Sequence, residues 1–277
     1  MRSFAPPVPQ SAYAFRRTVV GLAVEPVDAL RRWRVGTLLD VALDVDAGTP
    51  LPPPSVGQRA QQDDGLERFV RNTSLIFCLT APRVPKTPVR LRLAGDDRRF
   101  VARRLSLTPD HGATLPSPLW LRPMLAAGAT YDVPARATVV RGTVSYGSGE
   151  RVRWARVAVR EAVSNADLGV AHGDDRGEFL FVVPAHTAFN GPLADPLNLS
   201  LTVRTRPANL PRNVATSSDA LWDLPVEPVT IATATPGPPQ PVPVVLDGAP
   251  APAGYTLITT FTKSVALSRS TSLELVV

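Results

Sequence analysis

Side chains capable of chemistry are most concentrated in VAHGDDRGEFLFVVP, residues 170–184, which holds His172, Asp174, Asp175, Arg176 and Glu178. An imidazole beside carboxylates can ligate a metal or shuttle a proton. The spacing argues against both uses. An EF-hand loop alternates its acids and adds a Gly and a later Glu, whereas Asp174 and Asp175 are adjacent. Zinc takes several His or Cys ligands, but His111, His172 and His186 lie on separate segments and Cys78 is the lone cysteine. No metal and no cofactor is expected. The same residues suit a turn: the Asp174 carboxylate can accept from a backbone N–H two residues on, and Gly177 can take a positive φ. Phe179 and Phe181 would then face one side of the following strand, and Leu180 and Val182 the other. A slip of one residue would invert both faces. Asp174, Gly177 and Phe179 are therefore expected to form a structural turn.

Other reactive constellations are missing from the sequence. It has no Gly-x-Ser-x-Gly, no His-Glu-x-x-His, no Cys within a recognisable Cys/His motif and no phosphate-cradling Gly-rich loop. No catalytic residue is assigned, and a non-enzymatic protein is expected. Trp33, Trp120, Trp154 and Trp222 suit cores and interfaces more than chemistry. Trp120 and Trp222, in Pro-flanked segments, are the expected interface residues; a carbohydrate platform is the alternative. Cys78, inside Leu75-Ile76-Phe77-Cys78-Leu79, reads as a small buried residue.

The chain has 277 residues and a formal charge of +6, and apart from Lys86 and Lys263 its basic residues are Arg. The pairs Arg16-Arg17, Arg31-Arg32, Arg98-Arg99 and Arg103-Arg104 are spread along the sequence with acids between them. A nucleic-acid groove would concentrate them on one face with aromatics interleaved. They read as solvated surface, and nucleic acid is not an expected partner. The N-terminus lacks an apolar signal core, and no apolar run is long enough to cross a membrane as a helix. Cytoplasmic synthesis and no membrane partner are the expectation.

Pro accounts for 30 of the 277 residues, about twice the usual share of roughly 5%. Because Pro interrupts helices and central strands, short elements with many connections follow. Alternation is clear in Val89, Leu91 and Leu93 against Arg90 and Arg92, with Gly95-Asp96-Asp97 as the turn. It recurs in Leu197, Leu199, Leu201 and Val203 against Asn198, Ser200 and Thr202. The one modest helical candidate is DALRRWR, near residue 28. The fold expected is all-β, two β-sandwiches with Pro-rich connections and extended ends. Its parts are a Pro-rich arm over 1–12, a first sandwich over 13–135, a second over 136–233, and a linker with a strand-forming tail over 234–277.

The second sandwich resembles the carboxypeptidase regulatory-like domain, a transthyretin-like β-sandwich. The matching residues are Gly142-Thr143-Val144, then Ala155, Val157 and Val159. Next comes Asp174-Asp175-Arg176-Gly177-Glu178-Phe179, leading into Leu180, Phe181 and Val183, and finally Leu199, Leu201 and Val203. Gly173 stands where the family usually has Thr, and the loop between 184 and 197 is longer than usual. The resemblance implies an accessory or structural module and imports no peptidase activity. It leads to the expectation of a structural or adaptor protein that contacts other protein subunits and is itself homo-oligomeric within an assembly. A phage tail or phage-tail-like contractile injection particle is the assembly expected, with a carbohydrate- or surface-ligand-binding module as the alternative.

Overall fold

The computed structural model describes residues 19–35, 39–43, 69–81, 89–109, 119–184, 195–208, 221, 223–231, 237–242 and 254–277. The 1–12 arm, His111, His186 and Trp222 lie outside them. Every regular element described is a strand. The first are β1 (Val19–Val24), β2 (Val27–Asp28), β3 (Asp40–Leu43), β4 (Phe69–Arg71) and β5 (Phe77–Ala81). After these come β6 (Val89–Ala94), β7 (Arg103–Pro109), β8 (Leu119–Leu121) and β9 (Met124–Leu125). The second half supplies β10 (Val139–Ser145), β11 (Arg156–Glu161), β12 (Asp167–His172), β13 (Glu178–Val182) and β14 (Leu197–Thr205). The last are β15 (Val226–Ile231), β16 (Leu257–Val265) and β17 (Ser270–Val276).

Two pairs of sheets enclose two cores. In the first sandwich, β4-β5-β1-β8 faces β15-β7-β6-β3, and Leu22, Leu79 and Leu121 of one sheet meet Leu91, Leu93 and Leu105 of the other. In the second, β13-β10-β17 faces β12-β11-β14-β16, around Val140, Phe179, Val157, Leu199 and Leu201. The all-β, two-sandwich architecture read from the alternating patterns is the one observed.

Chain order and spatial order diverge. β15 follows the second sandwich in sequence yet pairs in parallel with β7 of the first, Glu227 beside Leu105. Residues 237–242 then lie along the first sandwich, where Gln240 bridges Pro123 and its N–H donates to the Arg122 carbonyl at 2.9 Å. Finally β16 pairs with β14 and β17 with β10, so part of the expected 234–277 tail belongs to the two sheets of the second sandwich. The physical reason is edge satisfaction: β7, β10 and β14 each present backbone groups that these later strands pair.

The helical candidate DALRRWR is a turn. The Asp28 carboxylate accepts from the N–H groups of Leu30 at 2.8 Å and Arg31 at 3.0 Å, Arg32 takes φ +60°, and the Asp28 N–H donates to the Trp33 carbonyl. An Asp side chain offering local acceptors stabilises this turn over a helix.

Candidate functional site

The 170–184 stretch is a strand end, a tight turn and a strand. Asp174 Oδ1 accepts from the N–H groups of Arg176 at 2.8 Å and Glu178 at 2.9 Å. The Asp174 N–H donates back to the Glu178 carbonyl. Gly177 sits at φ +73°, and a Cβ there would come within 2.7 Å of the Val144 carbonyl oxygen. Any side chain would therefore be strained twice, by its dihedral and by the clash. Phe179 and Phe181 enter the second core, while Leu180 and Val182 pack against the first. β13 thus has both faces covered, and the turn sets which residues go to which sandwich.

The acids of the turn also touch the other sandwich. Arg98, in the β6–β7 connection, lies 3.1 Å from Asp175 and 3.6 Å from Asp174. Burial is the main influence on Asp174 and pushes its carboxyl above the ordinary range, against the pull of its backbone donors. His172 ends β12, opposite Arg156 in the register. Burial, then the Arg156 and Arg103 charges, hold its imidazole well below the ordinary value. Among the described residues no three His, Cys, Asp or Glu side chains gather where they could share a metal ion.

Charged side chains are also buried near the seam where the sandwiches meet. Arg103 is 2% exposed; its Nε donates to both Glu227 carboxylate oxygens at 3.1 Å, and its Nη2 closes the fork. Its Nη1 donates to the carbonyls of Met124 at 2.7 Å and Gln240 at 3.1 Å. Arg104, also buried, donates to the Leu224 carbonyl at 3.1 Å. The reading of this pair as solvated surface is corrected: neighbouring residues of a strand point to opposite faces, and here both faces of β7 are covered.

A second hub forms at Asp223. Arg153 Nε donates to its two oxygens at 2.9 Å, the Trp154 indole N–H donates at 2.8 Å, and Arg206 lies 3.4 Å away. Trp154 is buried at the seam. Its backbone N–H donates to the Asp174 carbonyl at 3.0 Å, joining this hub to the turn. Neither Asp223 nor Glu227 is recognisable as a partner from the sequence, because each meets its Arg from a distant segment.

The remaining candidates are dispersed. Trp120 is half-buried on β8, and its indole N–H donates to Glu25 at 3.2 Å. Trp33 is 70% exposed. Cys78 is half-buried rather than fully buried, and desolvation raises its thiol pKa, which keeps it a poor nucleophile at neutral pH.

The fold and the seam together define an all-β protein of two interlocked sandwiches. No known family matches the sequence, and no curated protein matches it. Among solved structures it is similar to a streptococcal ancillary pilin, at 12% identity and a TM-score of 0.23 over 76% of this chain. That match spans 61% of the pilin's own length. It is also similar to the shaft pilin spaA from Lactobacillus rhamnosus GG, at 9% identity and a TM-score of 0.20 over 78% of this chain and 98% of that one. Likeness at these scores carries no argument about function.

Proposed function

We propose that this chain is a non-enzymatic structural or adaptor subunit that joins copies of itself and other protein subunits through strand edges. The observation that supports this reading is the edge presented by β16. It pairs along all of Leu257–Val265 with β14, in unbroken register. Its other side has no strand partner among the described residues. Exposed sheet edges in natural proteins are blunted by shortness, Pro, bulges or charge. Several other edges here carry such devices, though the shorter β17 does not: β4 has three residues, β15 contains Pro228, and the β11–β12 register is broken beyond Val159. β16 has nine residues, LITTFTKSV, with no Pro and one charge, and Ile258 is 52% exposed. Such a strand is suited to receive another by β-augmentation.

Within this class, the specific assembly proposed is a phage-tail-like contractile particle, built after synthesis in the cytoplasm. Its support is the carboxypeptidase regulatory-like resemblance of the second sandwich, itself part of the proposal.

Sedimentation of the native chain beside the double variant Ile258→Lys/Thr260→Lys tests the edge. Both positions are exposed, so the fold should persist by circular dichroism, while high-mass species should disappear. A native chain that stays monomeric at every concentration, alone and in cell extracts, would overturn the reading.

A further inference from the structure

A cavity of about 1140 Å³ opens between the two sandwiches. Its deeper wall is hydrocarbon, with Ala127, Leu168, Ala171 and Leu180 all buried. Its rim is the Asp28 turn and the 134–138 segment, where Leu30 is 44% exposed and Arg32 and Arg136 are exposed. Among the described residues no Asp or Glu lines it, whereas Arg31, Arg32, Arg136 and His172 do. Arg31 is engaged, 3.7 Å from Asp132 and over the Tyr131 ring. The Arg32 guanidinium meets the Met124 sulfur at 3.4 Å. Neither Arg32 nor Arg136 has a carboxylate partner among the described residues.

At the inner end a neutral imidazole lines the cavity, with a buried arginine beside it. His172 is 5% exposed, and its Nδ1 has no hydrogen-bond partner among the described residues. Opposite it on β11, Arg156 is 1% exposed. Its guanidinium donates to the main-chain carbonyls of Trp154 at 3.0 Å and Ala155 at 3.5 Å and lies over the Tyr255 ring. No carboxylate pairs with it among the described residues. Cavities that bind small molecules are apolar, with a few placed polar groups, and span roughly 300–1,000 Å³. This one is slightly larger, with a hydrocarbon wall and, among its described lining residues, charge of a single sign.

We propose that this cavity binds an amphipathic carboxylate. Its apolar chain lies against Leu168, Leu180 and Ala127, its anionic head meets Arg32 and Arg136 at the rim, and its far end reaches His172. The site is independent of the edge-joining role, because no residue of β16 or β17 lines the cavity.

Calorimetric titration of the full chain, below micelle-forming concentrations, tests it with octanoate, decanoate, dodecanoate, ω-hydroxydodecanoate and dodecyltrimethylammonium. Expected is saturable carboxylate binding that tightens about fourfold per added methylene. Arg32→Glu/Arg136→Glu, at exposed positions, should weaken it about tenfold. The ω-hydroxyl should tighten it in the native chain but not in His172→Phe. Should that buried variant fail to fold, Ala29→Trp, at a half-buried lining position, should block binding by filling the space. Equal binding of the ammonium amphiphile, indifference to the charge reversal, unchanged affinity in folded Ala29→Trp, or no saturable carboxylate binding would each overturn the proposal.

Discussion

Where the two sandwiches meet, one part of the contact is hydrocarbon and the other is charge. In the apolar part, Val139 and Leu180 leave the second sandwich to join the first core. In the polar part, Arg98 meets Asp174 and Asp175; Arg153, Trp154 and Arg206 converge on Asp223; and behind them Arg103 forks onto Glu227 within the first sandwich. The apolar part is non-directional, and its strength follows the area removed from water. The polar part gains little net stability, since desolvating both ions offsets most of their attraction. It is directional, however, and penalises any arrangement that leaves one ion unpaired. Hydrocarbon holds the sandwiches together, and the charges select the relative placement in which β15 and the 237–242 segment can lie.

The largest expected effect comes from breaking the polar part on one side only. Glu227→Ala should cost about 3–5 kcal/mol in urea denaturation, because Arg103 stays buried without its partner. Replacing both as Arg103→Met/Glu227→Leu should recover most of that loss. A double variant as unstable as the single one would refute the distinction drawn between the two parts.

Leu180→Ala tests the apolar part and should cost about 3 kcal/mol, the range for a buried Leu that leaves a cavity. A loss below about 1 kcal/mol would mean that the second sandwich contributes little to the first core. Gly177→Ala follows at about 1–3 kcal/mol, from the dihedral strain and the approach to the Val144 carbonyl. It should change the unfolding midpoint while leaving its steepness alone.

A smaller effect appears as a pH dependence. The folded-state pKa of His172 lies below its unfolded value near 6.5. The unfolded chain therefore binds the extra proton first, and the stability from keeping His172 neutral is fully present above about pH 6.5 and lost as pH falls below it. A His172→Gln variant that folds should flatten the stability profile in that window; an unchanged profile would assign it to other groups. Smallest is Arg98→Ala, whose partly exposed pairing with Asp175 should be worth less than about 1 kcal/mol and should fade with added salt.

The β6 and β14 patterns were legible because one residue in two is apolar, and that spacing fits only a strand with one face covered. β13 was legible for a different reason: the Asp and Gly before it mark a turn, and a turn sets register. The Asp28 turn was read as helix, since Leu30 and Trp33 have helical spacing and nothing local reveals that the Tyr131 hydroxyl donates to Asp28 Oδ2 at 2.6 Å. β12, β8 and β15 are short or weakly patterned. β8 and β15 acquire strand geometry by pairing in parallel with β1 and β7, from which they are distant in sequence.

By itself, the sequence determined the class of structure: alternation and Pro placement admit layered sheets, and the Asp174–Phe179 turn orients one strand in them. Only tertiary structure decided that Arg103 and Arg104 are buried, that β15 returns to the first sandwich, and that an Arg-rimmed cavity lies between the two. Side-chain periodicity is a local property and can be read along the chain. Ion pairs, parallel pairings and cavities depend on which distant segments meet, and that is set by the packing of all of them together.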